Sequence, residues 1–287
     1  MTTTAAASVH PVDQKLPWGR TIIYAFQHVL AMYAGAVAVP LVLAGAVHLS
    51  TEELIYLINA DLFTCGIATL VQSLSIRNFI GSKLPIVQGC TFTAVTPMII
   101  IANTHGGGAA GLQVVYGAAI FAGIACFVIS NFFSKMLRFF PPVVTGPIII
   151  AIGLTLSSSA INNCKANWLV AIVAIAIVIG FNMWGKGMTK IIPILLGVLG
   201  SYIFALIVDP AERAAVSEAV SNAAWIGLPV HWNHTVFGLF AGEVDSSLLW
   251  SAVFTIVPLS LATMVEHIGD ILSLIHISEP TRLRCIS

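Results

Sequence analysis

Apolar runs about as long as a bilayer's hydrocarbon core is thick recur along this chain, separated by short polar connections. A membrane-spanning helix needs roughly 20 predominantly apolar residues. Eight stretches meet that need: 22–43, 54–74, 84–102, 112–133, 143–161, 168–184, 191–208 and 248–272. Of the 287 residues, 8% are charged and 58% hydrophobic, with a mean hydropathy of +0.96. A soluble domain carries about 25% charged residues, so these charges cannot clothe a water-soluble globule. A soluble enzyme, a nucleic-acid binder and a disordered chain are excluded. The expected fold class is an all-α polytopic membrane protein. Its 12 basic and 12 acidic residues cancel, so charge implies no electrostatic partner.

Basic residues orient the spans. Lys15 and Arg20 precede the first, Arg77 and Lys83 follow the second, Lys135 and Arg138 the fourth, and Lys186 and Lys190 the sixth. The opposite connections hold only Lys165 and Arg213. This alternation supports the count of eight and sets the N-terminus in the cytoplasm. No cleaved leader is expected, because residues 1–20 are polar and the first apolar run is too long for a signal sequence. Connections are short except 209–247, where a polar stretch at 211–224 reads as an extracellular helix before Gly227 and Pro229. The five cysteines, Cys65, Cys90, Cys126, Cys164 and Cys285, have neither disulfide-framework nor metal-ligand spacing.

Ionisable residues inside spans cost about 2.5–3.5 kcal/mol on insertion scales and by default mark a site or pathway. His28 and Asp61 are such residues, with satisfaction by a neighbouring helix as the alternative for each. Glu266 and Asp270 stand four apart on one helix face, where mutual repulsion favours a proton on one of them. His267 points about 100° away from Glu266 and reads as packing. The third span, LPIVQGCTFTAVTPMIIIA, is broken by Pro85, Gly89 and Pro97 and made polar by Gln88, Thr91, Thr93 and Thr96. Unwound backbone at membrane depth must be buried in protein or line a cavity, and broken helices of this kind hold substrate in secondary transporters. Phe92 either packs in the core or offers a face for a planar ligand. HExxH, GxSxG and histidine clusters are absent from the sequence, so neither an intramembrane enzyme nor a metal or other cofactor is expected. A channel or a structural subunit remains the rival class.

At these residues the sequence resembles the nucleobase–ascorbate transporter family, also called nucleobase:cation symporter-2, which includes bacterial uracil, xanthine and urate permeases. The resemblance lies in QHVLAMYAGAVAVPL from Gln27, INADLFTCGIATLVQSL from Ile58, KLPIVQGCTFTAVTPM from Lys83, PPVVTGPIIIAIGLTL from Pro141, WIGLP from Trp225 and ATMVEHIGDIL from Ala262, in family order. It implies a fold of two inverted seven-span repeats arranged as core and gate, in an inner or plasma membrane. This chain would hold the first repeat plus the eighth span. The resemblance also implies secondary active import of a nucleobase by proton symport, with Na⁺ the alternative coupling ion, with no nucleic-acid partner and with homodimerisation of the intact protein open. Glu266 falls on the family glutamate that hydrogen-bonds the base, and Phe92 on the third-span aromatic. Thr91, Gln88 and Gly35 complete the implied substrate-binding set. His28 falls on the first-span histidine of the polar network and is expected to share the coupled proton with Asp270. Aspartate at position 270 matches several purine permeases and favours xanthine or urate, with uracil the alternative. The resemblance stops after Leu272. The expected division is a cytoplasmic tail at 1–20, an incomplete permease region at 21–272 and a spurious tail at 273–287.

Overall fold

The computed structural model describes residues 17–75, 80–81, 84, 86–136, 142–222 and 246–278. Their regular structure is helical apart from a single bridge residue, Ile80. In chain order the α-helices are α1 (Trp18–Val47), α2 (Thr51–Leu74), α3 (Val95–Thr104), α4 (Gly108–Met136), α5 (Pro142–Cys164), α6 (Trp168–Trp184), α7 (Met188–Ile191), α8 (Pro193–Val208), α9 (Pro210–Asn222) and α10 (Ser246–Ser278). A 3-10 turn, Phe92–Ala94, leads into α3. The all-α polytopic expectation holds.

Five helices, α1, α2, α4, α5 and α10, contain stretches long and apolar enough to cross a membrane. The other three apolar runs of the sequence take shorter forms. The third becomes, in its described residues, a segment without regular structure at 86–91 followed by the 3-10 turn and the ten residues of α3. The sixth is α6, with 17 residues, and the seventh is α8, with 16. At 1.5 Å per residue a helix of that length rises about 25 Å, near the lower limit for spanning. α8 bends by 112° into α9. Because α9 carries Glu212, Arg213 and Glu218, it is the polar helix expected after the seventh run rather than more of that span. Arg213 folds back to donate to the carbonyls of Leu206 and Ile207 at 3.0 and 3.3 Å, satisfying orphan acceptors at the end of α8. The connection at 223–245 and the termini at 1–16 and 279–287 lie outside the described residues. The tail read as spurious is thus described only in its first part, where the α10 backbone continues to Ser278.

Local sequence explains where helices stop. His48 takes a left-handed φ of 59° just past the end of α1, and Leu49 N–H bonds back to Ala44 O at 3.0 Å. Ser50 then caps α2: its hydroxyl accepts from Glu53 N–H at 3.3 Å, and the Glu53 carboxylate takes the Ser50 N–H at 2.8 Å. This reciprocal capping box satisfies two backbone donors that the first turn leaves free.

The chain forms two compact units. One gathers described residues within 1–38, 58–90 and 167–227, and in it α6 packs along α8. Lipid offers helices no hydrophobic drive to associate, so such contacts depend on small residues that let backbones approach. On α8 these are Gly197, Gly200 and Ser201: a Cβ on Gly197 would collide with the Val178 side chain, and one on Gly200 would stand 2.7 Å from Ile177 Cδ1. The other unit gathers described residues within 39–57, 91–166 and 228–287. Its core joins α4 and α10 through Ala118, Ala122, Ala252, Val253 and Ile256, with Val47 and Ala102 buried beside them. Gly111 on α4 abuts the Ala102 backbone of α3 so closely that no side chain fits. The large apolar residues left exposed, such as Ile172, Ile175 and Ile179 on α6, form the surface a bilayer would cover.

Gly197→Ala should lower the melting temperature of the detergent-solubilised protein, since overpacking costs about 1–3 kcal/mol. Gly180→Ala on α6, where an added Cβ meets nothing within 4 Å, should leave it unchanged or raise it through helix propensity. Equal shifts would show that α6 and α8 do not meet at Gly197.

Candidate functional site

The broken third span carries the polar chemistry of both units. In the second unit, Thr91 is extended, with φ −93° and ψ 142°, and caps the 3-10 turn by accepting the Thr93 N–H on its hydroxyl at 3.1 Å. The turn flows into α3, where Pro97 falls in the first helical turn. Proline is tolerated there because that position's N–H has no intrahelical acceptor. Glu266 on α10 meets this turn. Its Oε2 accepts the Thr91 hydroxyl at 2.5 Å and also the Thr93 hydroxyl. The two hydroxyls themselves lie 3.0 Å apart. A carboxylate at a helix N-terminus is favoured by the helix dipole and by free N–H groups, so the start of the turn and α3 is a fitting seat for the Glu266 charge.

Packing holds that seat in place. Val265, next to Glu266, is 2% exposed, and Ser260 is buried one and a half turns earlier. The Cys126 thiol of α4 lies 3.9 Å from Ser260 O. Phe92 sits between the two threonines, neither fully buried nor fully exposed. Oε2 of Glu266 is thereby committed to protein donors, while Phe92 and the first N–H groups of the turn stand beside it. Chemically, the arrangement pairs a hydrogen-bond acceptor of high charge with an aromatic face and neighbouring donors.

A second polar cluster lies in the first unit. Asp61, Cys65 and Thr69 recur at every fourth residue of α2 and so form one stripe. The segment 86–90, without regular structure, runs against it: Gln88 N–H donates to the Thr69 hydroxyl at 2.9 Å, and the Cys90 thiol donates to Asp61 Oδ1. Cys65 donates to the same oxygen at 3.6 Å. Asp61 is only 9% exposed, and its Oδ2 and the Gln88 Nε2 are buried without a hydrogen-bond partner among the described residues. Gly81, with φ +90°, follows α2 in a place where a Cβ would strike the Val71 carbonyl oxygen.

Of the site residues drawn from the sequence, Glu266, Thr91 and Phe92 come together at one turn. Gln88 belongs to the Asp61 cluster. His28 and Gly35 are exposed on α1, and no hydrogen bond engages the His28 ring among the described residues. Asp270 continues the α10 backbone one turn beyond Glu266, but its side chain lies outside the described residues. Sequence reasoning did not assign Thr93 to Glu266, nor Cys65 and Cys90 to Asp61. The four-residue spacing of Asp61, Cys65 and Thr69 was the available signal for the latter.

A sequence model described as "Permease family" matches residues 19–282. The chain is 42% identical over 213 residues to the xanthine permease of Bacillus subtilis, covering 70% of this chain and 47% of that protein. It is 37% identical over 254 residues to the uric acid permease PucK of the same organism, covering 85% and 55%. To the uric acid permease PucJ it is 36% identical over 209 residues, covering 67% and 45%. The chain therefore spans about half the length of the curated relatives it matches. With the family match extending over nearly all of its spans, and with relatives of this identity, the chain belongs to the permease family of xanthine and uric acid permeases that its motifs resemble, the nucleobase–ascorbate transporters.

Proposed function

We propose that this chain is part of a longer permease that imports an oxopurine, xanthine or urate, by proton symport across the inner membrane. The single observation that carries the reading is the Glu266 carboxylate gripped on one oxygen by Thr91 and Thr93 beside Phe92. Its coverage of about half of each relative supports reading it as part of a longer protein. The xanthine and uric acid permeases among its relatives support the oxopurine.

The chemistry follows from the edge of a purine, which alternates N–H donors and C=O acceptors. The Thr91 and Thr93 hydroxyls hold Glu266 at Oε2 and leave Oε1 to accept from N–H groups of the base. Hydrogen bonds to an ionised acceptor are roughly twice as strong as neutral ones. A backbone N–H at the start of the 3-10 turn other than that of Thr93 donates to a base carbonyl, and the base stacks on Phe92. His28 and Asp270 share the coupled proton, whose affinity changes with occupancy and with the side to which the site opens. The N-terminus lies in the cytoplasm, and alternating access is a rocking of core against gate.

The test is uptake of radiolabelled xanthine and urate by the intact permease in a strain without its own purine uptake. Saturable uptake competed by xanthine and urate but not by uracil is expected, and competition by uracil alone would contradict the oxopurine reading. Glu266→Gln removes the charge while keeping size. Hydrogen bonds to charged groups contribute about 1.5–3 kcal/mol, so apparent affinity should fall about tenfold or more while membrane insertion persists. Wild-type kinetics in this variant would remove Glu266 from the site.

Phe92→Ala should raise KM about two- to tenfold, in line with about 0.5–1.5 kcal/mol for an aromatic pair, whereas Phe92→Tyr should retain most of the affinity. An unchanged KM in Phe92→Ala would assign Phe92 to packing.

A further inference from the structure

We infer that Asp61, in the first unit, is a proton-carrying carboxylate of the permease in addition to Asp270; its role in transport rests on the symport reading above. Asp61 lies in the middle of α2, a helix apolar enough to span a membrane, and is 9% exposed. An ionisable residue at such depth is expected to be paired with a charge or to serve an ion pathway. No lysine, arginine or histidine bonds to Asp61 among the described residues. Its hydrogen bonds come from two thiols, Cys65 and Cys90, and both reach Oδ1. Thiols are weak donors. Oδ2 is buried and has no hydrogen-bond partner among the described residues, so half of the carboxyl group meets no donor there.

The chemistry of the cluster selects its ligand. A hard metal cation seeks a shell of oxygen ligands, which two sulfurs and one carboxyl do not offer. A proton needs only Oδ2. The exchange balances simply: the carboxylate takes H⁺ from water to become a carboxylic acid and later returns it, while both thiols stay S–H and go on donating to Oδ1. Cys65 on its own helix and Cys90 on the adjoining segment are the titratable groups against Asp61 among the described residues. Cys90 itself is exposed, so it stands on the outer side of the cluster. The second buried, unpartnered polar atom of this unit, Gln88 Nε2, belongs to the same segment and offers a donor to water entering beside it.

The first arm of the test needs no substrate. Protein reconstituted in phosphatidylcholine vesicles is stepped in pH and read by infrared difference spectroscopy in the carboxylic-acid carbonyl region. A band that appears on acidification, disappears in Asp61→Asn and changes frequency in Cys90→Ala is expected. Carboxylic-acid bands of wild-type amplitude in Asp61→Asn would overturn the inference. Should Asp61→Asn not fold, Cys90→Ala decides: a shifted band supports Asp61, and an unshifted spectrum overturns it. The second arm measures xanthine accumulation in the intact permease. Across a pH step of about one unit, a single coupled proton drives about tenfold accumulation. Asp61→Asn should lower that accumulation while xanthine counterflow continues, and accumulation at the wild-type level would overturn the inference. Absence of base uptake by the wild type would sink the transport reading, with the infrared arm still deciding Asp61.

Discussion

A carboxylate inside a membrane span must receive its hydrogen bonds from the protein, because the hydrocarbon around it supplies none. Glu266 receives them from the stretch of backbone that could not form a continuous helix. Pro85, Gly89 and Pro97 interrupt the third apolar run, and the extended residue Thr91 and the 3-10 turn that follow bring two threonine hydroxyls to the same oxygen. A regular helix through 84–102 would have spent those hydroxyls on its own carbonyls, as Thr104 does with Ile100 and Ile101. The break and the acidic residue therefore explain each other.

Close helix contact is what makes such a seat durable. In the second unit, α4 meets α10 over alanines, and α3 meets α4 where Gly111 leaves room for the Ala102 backbone. These contacts fix the start of α3 and the Glu266 turn of α10 within one packed body. The first unit repeats the method with Gly197 and Gly200 of α8 against α6. Its polar centre follows the same logic on a smaller scale: a buried acid on a helix, Asp61, meets the Cys90 thiol of the irregular segment 86–90, whose Gln88 N–H is held by Thr69 of the same helix. The two acids differ in what serves them. Among the described residues, Glu266 has hydroxyl donors, whereas Asp61 has thiols on one oxygen and no partner on the other.

Much of this was legible in the sequence, for definite reasons. Apolar runs and scarce charge dictate membrane helices, and each of the eight runs contains a helix or the start of one. The break in the third run was legible because proline and glycine act locally. Glu266 stood out because a carboxylate at membrane depth is costly wherever it occurs. Partners were harder to read. Thr93 and Glu266 are separated by 173 residues, and nothing in spacing or periodicity joins them. Cys90 and Asp61 stand 29 apart, and the cysteines looked scattered because one comes from a helix and the other from a segment without regular structure. The lengths of α6 and α8 were less legible, since a 16-residue apolar helix and a full span share one composition. The proposed proton partnership of His28 and Asp270 rests on family resemblance alone, with His28 exposed and the Asp270 side chain outside the described residues.

The central claim is that Thr93 and Glu266 act as one unit. A double-mutant cycle on the unfolding free energy of the reconstituted protein, using Thr93→Val, Glu266→Gln and both together, measures that union directly. A hydrogen bond to a charged acceptor predicts a coupling of about 1 kcal/mol or more, because once Glu266 is neutral the Thr93 hydroxyl has little left to stabilise. Additivity within about 0.3 kcal/mol would mean that the broken third span and the eighth-span carboxylate do not hold each other, contradicting this account.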